Sequence, residues 1–238
     1  MALDQHLMID KELIKKIVKT TNIEPTDIIL EIGPGTGNLT KEIIKKTKKL
    51  ILIEKDNKFL KILKTQFPKT KIIIENALES ELPTFTKLIS NLPYNICEPL
   101  IWKLTKIKFK TAILTTPKIF AERLNKNTKL GLLTNSFFNV EIIETINKSS
   151  FKPQPKIKSV LIKLTKHNKK STLKTVFLQR DKKIKNILIN ILTKKGLTKN
   201  QARTKIMFIP PSILENKIQK LSESKFKIIK KVINIKYL

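Results

Sequence analysis

A short glycine-rich segment between an apolar run and an amphipathic run constrains this fold more than any other feature. Residues 28–32 are isoleucine- and leucine-rich, which is typical of a strand buried in a parallel sheet. Gly33-Pro34-Gly35-Thr36-Gly37 follows at once, and residues 38–48 then show helical spacing. A strand, a tight turn and a helix in this order predict an α/β fold with a ligand site at the turn.

The alternation of strands and helices continues far along the chain and predicts a doubly wound, Rossmann-like sheet. Helices are predicted at 11–20, 56–66, from the loop after Ser90 to about 104, and at 118–124. The remaining predicted strands are 50–54, 71–75, 87–90, 111–115, 140–146 and 159–164.

The character of the sequence changes after Thr165. A polar linker, 166–172, precedes purely helical patterns that cover 173–195, begin at Thr198 and at Pro210, and end with a helix from about Glu223. We therefore predict two domains: a catalytic domain, residues 1–165, and a small basic helical domain, residues 166–238, that binds RNA.

The spacing of the glycines favours S-adenosylmethionine (SAM) as the ligand. Pyrophosphate sites use Gly-x-Gly-x-x-Gly, whereas this turn reads Gly-x-Gly-x-Gly and carries Pro34, which has no amide donor. The next strand ends at Glu54, whose carboxylate can accept both ribose hydroxyls. Asn76-Ala77, after the third strand, is placed to bind the adenine amine, although an Asn after a strand is more often a turn residue. A nicotinamide cofactor, or a tight turn with an ordinary exposed glutamate, remains an alternative.

Asn91-Leu92-Pro93-Tyr94 follows the predicted strand 87–90 and indicates transfer to a nucleobase amine. The lone pair of an exocyclic amine is delocalised into the ring, so acceptors aimed at its N–H groups make it a better nucleophile. The Asn91 side-chain oxygen and the Leu92 carbonyl are such acceptors, Pro93 fixes the loop, and Tyr94 can stack on a flipped base. Because the motif is only four residues long, a loop without a functional role is the alternative.

The charge of the chain indicates a polyanionic partner. There are 49 Lys and Arg residues against 19 Asp and Glu, a formal net charge of +30. Nucleic acid neutralises such charge with release of counterions. Compositional drift explains the preference for lysine over arginine, but it does not explain the scarcity of acids.

Other function classes are disfavoured by composition. Cys97 is the single cysteine, and His6 and His167 lie far apart, so we expect no metal site and no internal disulfide. The chain shows no apolar run of membrane-spanning length and begins without the pattern of a signal peptide. We therefore expect a cytoplasmic monomer without membrane contact.

Several separated blocks together resemble the ribosomal RNA adenine dimethyltransferase family. Gln5-His6-Leu7-Met8-Ile9-Asp10 is similar to its N-terminal block, and residues 151–159, Phe-Lys-Pro-Gln-Pro-Lys-Ile-Lys-Ser, to its proline-rich block. Residues 31–37, Glu54, 76–77 and 91–96 match the blocks between them in order.

The resemblance implies dimethylation of two adjacent adenines near the 3′ end of small-subunit rRNA, in free RNA or an immature small ribosomal subunit. It implies that Gln5, His6 and Met8 help to line the SAM site with the glycines, Glu54, Asn76 and Asn91. It also implies that Phe151 backs the target base opposite Tyr94, whereas Phe151 taken alone is equally expected as a core residue under the loop.

The chain departs from the family pattern in places, which keeps other functions open. Asn76 replaces a more usual Asp, residues 117–123 differ at several positions, and Leu130-Gly131-Leu132 stands where the family has Tyr-Gly-Arg. An assembly factor with reduced or lost methylation, a methyltransferase for large-subunit rRNA, and the less favoured transfer to DNA adenine are the alternatives.

Overall fold

The computed structural model describes residues 6–234, which divide into two compact units. The first unit holds residues up to 125 and 138–167, and the second holds 126–137 and 168 onward. The predicted boundary at 165/166 lies near one junction between the units. It does not anticipate that segment 126–137 groups with the C-terminal helices.

The first unit is built on a mixed sheet. Within the described residues, the strands are β1 (Leu7–Met8), β2 (Ile29–Ile32), β3 (Leu50–Glu54), β4 (Lys71–Ile74), β5 (Lys87–Asn91), β6 (Thr111–Pro117), β7 (Phe138–Ile146), β8 (Phe151–Lys152) and β9 (Ser159–Lys166). Seven of them form one sheet in the order β4-β3-β2-β5-β6-β9-β7. Strands β4 to β6 of this order are parallel, and β9 runs antiparallel to both of its neighbours.

Helices of the first unit alternate with the parallel strands. They are α1 (Lys11–Thr21), α2 (Asn38–Ile43), α3 (Asn57–Gln66), α4 (Cys97–Leu104) and α5 (Lys118–Leu124). Every residue of β2 is buried, which explains why its sequence is an apolar run rather than an alternating pattern. The predicted doubly wound sheet is confirmed.

The strand order reverses between β2 and β5, and this reversal positions the site. From β2 the chain proceeds outward through β3 to β4, then returns to place β5 on the other side of β2. Ligands of open α/β sheets bind at such a switch point, beyond the carboxyl ends of the strands. Gly33 follows β2 directly, and Asn91 is the last residue of β5.

A buried ion pair holds the opposite end of these strands. Lys87 Nζ lies 2.6 Å from Asp27 Oδ2 and donates to the Asn22 carbonyl at 2.5 Å. Burial alone would raise the pKa of Asp27, but hydrogen bonds from Lys87, the Glu24 amide and the Thr86 hydroxyl lower that pKa to about 2. Asp27 therefore stays ionised in the folded protein, where it anchors the start of β5.

The second unit is helical, as predicted. Its helices are α6 (Lys129–Phe137), α7 (Thr172–Leu178), α8 (Ile184–Lys194), α9 (Lys199–Ile206), α10 (Pro211–Leu214) and α11 (Glu223–Asn234). Phe177 and Phe226 are buried and stack with ring centroids 5.9 Å apart, which joins α7 to α11 in the core of the unit.

Two local predictions were wrong, and two features were not predicted. The helix predicted over 173–195 is two helices, because the Ile184 amide donates to the Asn216 carbonyl at 2.9 Å and Lys183 is extended. Helix α2 ends at Ile43 rather than at Lys48. Helix α6 and the small antiparallel pair β1–β8 were not predicted.

Candidate active site

A cleft of about 850 Å³, counted out to its open mouth, lies at the switch point of the sheet. The predicted residues that line it are His6, Gly33, Gly35, Glu54, Asn76, Ala77, Asn91, Leu92, Pro93 and Tyr94. Both sequence motifs therefore meet in one cleft, although 54 to 61 positions separate their residues along the chain.

The amides of the glycine-rich turn are committed inside the protein. Gly33 N–H donates to the Ile53 carbonyl at 2.8 Å, Gly35 N–H to Glu54 Oε2 at 3.1 Å, and Gly37 N–H to the Pro34 carbonyl at 2.9 Å. A phosphate cradle needs such amides to point at the ligand, and a carboxylate behind the turn repels an anion. The turn therefore suits a cofactor without phosphate and argues against a dinucleotide.

Two of these glycines have no room for a side chain. All three glycines have positive φ, and a Cβ on Gly35 would lie 2.8 Å from Leu7 Cδ2. A Cβ on Gly37 would lie 2.5 Å from Phe67 Cε2. Glycine is therefore required both for the backbone conformation and for close packing of the turn.

Glu54 forms the acidic wall of the cleft. The residue is 5% exposed, and its two oxygens are held separately, Oε2 by Gly35 N–H and Oε1 by Asp56 N–H at 2.9 Å. Each carboxylate oxygen retains further acceptor capacity after one hydrogen bond. Glu54 is thus fixed in position and can still accept hydroxyl donors from a ribose.

A second carboxylate lies buried beside Glu54. Glu31 is 1% exposed, and burial raises its pKa to about 8, against a hydrogen bond from the Thr40 hydroxyl at 2.7 Å and with a contribution from the charge of Glu54. Glu31 is therefore protonated near neutral pH, so that Glu54 provides the negative charge of this wall.

The loop after β4 is shaped by Asn76. Its Oδ1 accepts the Leu78 amide at 3.1 Å, and its Nδ2 donates to Glu79 Oε1 at 2.6 Å. Lys103 on α4 supports the same loop by donating to the carbonyls of Ala77, at 2.7 Å, and Ser80. Asn76 lines the cleft, and its side chain also makes the turn, which is the other role that the sequence left open for it.

The orientation of the Asn91 amide follows from its partner. Asn91 Nδ2 donates to the His6 carbonyl at 2.8 Å. Because a carbonyl can only accept, the NH₂ group must face His6, and Oδ1 is left as an acceptor. The Leu92 amide donates to the Thr115 carbonyl at 3.3 Å, which ties this loop to the neighbouring strand.

Tyr94 is held at both ends of its side chain. Its hydroxyl hydrogen-bonds to the buried Ser159 hydroxyl at 2.8 Å, and its ring lies 5.4 Å from the His6 ring, inclined by 39°. His6 Nδ1 is 2.9 Å from the Pro153 carbonyl, so that this nitrogen carries the proton of the contact. The aromatic wall of the cleft therefore rests on the N-terminal and proline-rich blocks.

Among the described residues, two predicted site residues, Met8 and Phe151, do not line this cleft. Phe151 is 2% exposed and pairs with Met8 between β1 and β8, and both side chains belong to the hydrophobic core. The Met8 carbonyl accepts from Asn38 Nδ2 at 2.8 Å. Phe151 therefore presents no free face to a base in this structure, because its ring supports the sheet. Gln5 lies outside the described residues.

The cleft also contains residues that sequence reasoning missed. Lys55 and Glu75 directly follow strand ends, so their position in the alternating pattern was a usable signal. Phe59 lies one turn into α3 and carried no local signal. The others are Leu7, Ile32, Ile53, Asn95 and Ile96.

The atypical segment 117–132 keeps one family residue in a definite place. Arg123 Nη2 donates to Glu98 Oε2 at 3.0 Å, which links α5 to the start of α4 behind the Asn91 loop. Leu130, where the family has tyrosine, belongs to the second unit and is 2% exposed. An apolar leucine suits this position because its side chain is buried.

Residues 6–234 also bear on metal binding and on membrane insertion. No group of three or more His, Cys, Asp and Glu side chains there is arranged to hold a metal ion. In the same residues no helix combines the length and apolar character needed to cross a membrane.

Comparisons with known proteins agree with this site. The family model "Ribosomal RNA adenine dimethylase" matches residues 1–231. A "Probable ribosomal RNA small subunit methyltransferase A" of Methanosphaera stadtmanae is 35% identical over 243 aligned positions, covering 94% of this chain and 90% of that protein. The protein of the same name in Methanosarcina barkeri is 36% identical, covering 79% and 72%.

Solved structures share the fold. A dimethyladenosine transferase from Plasmodium falciparum superposes with a TM-score of 0.66 at 27% identity, covering 96% of this chain and 99% of that one. The 23S rRNA methyltransferase ErmE gives a TM-score of 0.62 at 19% identity, covering 96% and 99%, which shows a common fold alone. The chain belongs to the ribosomal RNA adenine dimethylase family, and the resemblance of its sequence blocks is thereby confirmed.

Proposed function

We propose that this protein dimethylates the exocyclic amines of two adjacent adenines near the 3′ end of small-subunit rRNA, with SAM as methyl donor. The family is SAM-dependent. The observation that carries the proposal is the fixed Asn91 amide, whose Oδ1 is left as an acceptor at the edge of the cleft that Glu54 lines.

The cofactor fits the cleft residue by residue. Glu54 would accept the ribose hydroxyls, and Gly33 and Gly35 would let the cofactor approach the turn closely, since neither has a side chain. Asn76 and Ala77 would border the adenine, and Phe59 with Ile53 would provide apolar contacts. When bound, SAM supplies a methyl group activated by attachment to a sulfonium.

The Asn91 loop would prepare the attacking nitrogen. Asn91 Oδ1 and the Leu92 carbonyl would accept hydrogen bonds from the two N–H groups of the adenine amine. These hydrogen bonds favour a tetrahedral nitrogen whose lone pair is available to attack the methyl group. They also offset the positive charge that builds on the nitrogen as its bond to carbon forms. Tyr94 would stack on the base and keep it out of its helix.

The basic helical region would hold the RNA. Residues 166–238 contain 20 Lys and Arg against three Asp and Glu, so this third of the chain carries much of the net charge. Contacts of this kind go to phosphates and give affinity rather than sequence selection. We expect binding to RNA to weaken steeply as salt is raised, and a flat response would exclude phosphate contacts.

The test is methyl transfer from labelled SAM to small ribosomal subunits that lack the modification, with product nucleosides separated by mass. Dimethyladenosine at two adjacent sites would support the proposal. No incorporation while binding to the subunit persists would instead favour an assembly factor. Incorporation only into large-subunit rRNA would instead favour a methyltransferase for large-subunit rRNA.

A further inference from the structure

The most exposed apolar side chains lie together at the end of α9. Among the exposed large hydrophobic residues, Met207 and Phe208 have the highest values, 76% and 66%. They are not part of a frayed end, because Ile206 and Ile209 on either side are 3% and 1% exposed and anchor the backbone. The chain therefore holds an aromatic ring and a thioether in solvent on a fixed support.

The surroundings of this pair are cationic. Lys199 and Arg203 are exposed and lie one turn apart on α9, and Arg203 and Met207 are again four residues apart, so the three share a face. Lys205 is half-buried three residues before Phe208. No acidic residue occurs between Lys182 and Leu214 in the sequence.

We propose that Phe208, with Met207 and the cationic face of α9, is an RNA contact in which Phe208 stacks on an unpaired base while Arg203 and its neighbouring lysines bind the flanking phosphates. The inference rests on the proposed function, since it names how the substrate RNA is held outside the active site.

The combination of groups selects this partner. A protein partner for this surface would need an apolar patch for Phe208 and, beside it, carboxylates for the lysines of α9. RNA offers both a flat base and an anionic backbone in one ligand. Stacking on an aromatic ring is available only to unpaired bases, because paired bases are covered by their neighbours. The contact should therefore prefer single-stranded RNA to a duplex.

Fluorescence anisotropy of the full chain with a labelled single-stranded RNA of mixed sequence, free or annealed to its complement, measures this preference. Phe208→Ala should weaken binding to the single strand about fivefold to a hundredfold and binding to the duplex less than about twofold. Phe208→Trp should retain the affinity. Ile62→Ala on α3, at a site that is 38% exposed, is the matched control and should change neither.

A second variant separates charge from stacking. Arg203→Ala should weaken binding to both RNAs and lower the slope of log K against log salt by about one, whereas Phe208→Ala should leave that slope unchanged. Thermal unfolding of each variant should match the parent, because the replaced side chains are exposed.

Three outcomes would overturn the inference. One is unchanged affinity of Phe208→Ala for the single strand, and another is an equal loss for single strand and duplex. The third is weaker binding to whole small subunits with unaltered binding to the naked strand, which would mean that Phe208 contacts ribosomal protein or folded RNA rather than an unpaired strand. Methyl transfer by the parent protein reports separately on the proposed function, because either result can hold while the other fails.

Discussion

Glu54→Gln is the sharpest test of the cofactor site, because the structure defines what the change removes. The two carboxylate oxygens accept from Gly35 N–H at 3.1 Å and from Asp56 N–H at 2.9 Å. A glutamine places its NH₂ group against one of these two donors, so one of the two hydrogen bonds that hold the side chain is lost. It also converts the acceptor for the ribose hydroxyls from a charged to a neutral group.

The size of the effect follows from the two hydroxyls. A hydrogen bond to a charged group contributes about 1.5–3 kcal/mol, and a neutral one about 0.5–1.5 kcal/mol. The difference over two hydroxyls is about 2 kcal/mol, which corresponds to a rise in the Kd for SAM of roughly 30-fold. Titration calorimetry with SAM measures it directly.

Glu75→Gln is the matched control for this measurement. Glu75 lines the same cleft but is exposed, so its replacement removes an equal charge near the cationic cofactor without touching the glycine turn. Exposed charge pairs contribute about 0–1 kcal/mol, so the Kd should rise less than about fivefold. Equal losses in the two variants would mean that Glu54 acts through its charge alone, and an unaltered Kd in Glu54→Gln would refute its assignment.

Further predictions separate chemistry from stability. Asn91→Ala should lower kcat about 100-fold while leaving the Kd for SAM within a few-fold, and parallel loss of both would contradict the role of its oxygen. Lys87→Met should destabilise the fold by about 3 kcal/mol in denaturant titrations, because the buried Asp27 loses its buried partner and keeps the exposed Lys110, whose Nζ lies 3.6 Å away. The pKa of Asp27 is lowered from 3.8 to about 2 in the folded protein. Its contribution to the free energy of unfolding is therefore fully present above pH 3.8 and is lost as pH falls towards 2. The pKa of Glu31 is raised from 4.5 to about 8, so its contribution to the free energy of unfolding is fully present below pH 4.5 and is lost as pH rises to 8. Glu31→Gln should therefore remove the fall in stability between pH 4.5 and 8 and leave the acid side of the profile unchanged.

The parts of the fold that sequence predicted are those in which neighbours along the chain decide the structure. Strand β2, the glycine turn and Glu54 lie within 26 residues, and each carries its own signal: an apolar run, glycines with positive φ and an acid at a strand end. The break between α7 and α8 carries none, because no glycine or proline lies there. It depends on the contact of the Ile184 amide with Asn216, more than 30 residues away.

Site residues divide in the same way. Glu54, Asn76 and Asn91 were found at or just after strand ends, because parallel strands bring their carboxyl ends to one edge. Lys55 and Glu75 also follow strand ends but were missed, since neither stands in a motif. Phe151 was assigned a role at the target base from its block, yet its ring is 2% exposed and packs in the core with Met8. An aromatic residue in a conspicuous motif can serve the core or a ligand, and only the pairing of β1 with β8, across more than 140 residues, decides between them.

That pairing explains why four residues, Asn-Leu-Pro-Tyr, need the rest of the chain to become a site. The strand β1 brings the His6 carbonyl to Asn91, where an acceptor-only partner turns the amide so that Oδ1 is left for a substrate. The start of β9 brings Ser159 to the hydroxyl of Tyr94 and fixes its ring. Three distant segments thus set the orientation of two groups in one short loop. Because acceptors held in place before the reaction need no reorganisation during it, changes in those segments should lower kcat even when SAM still binds.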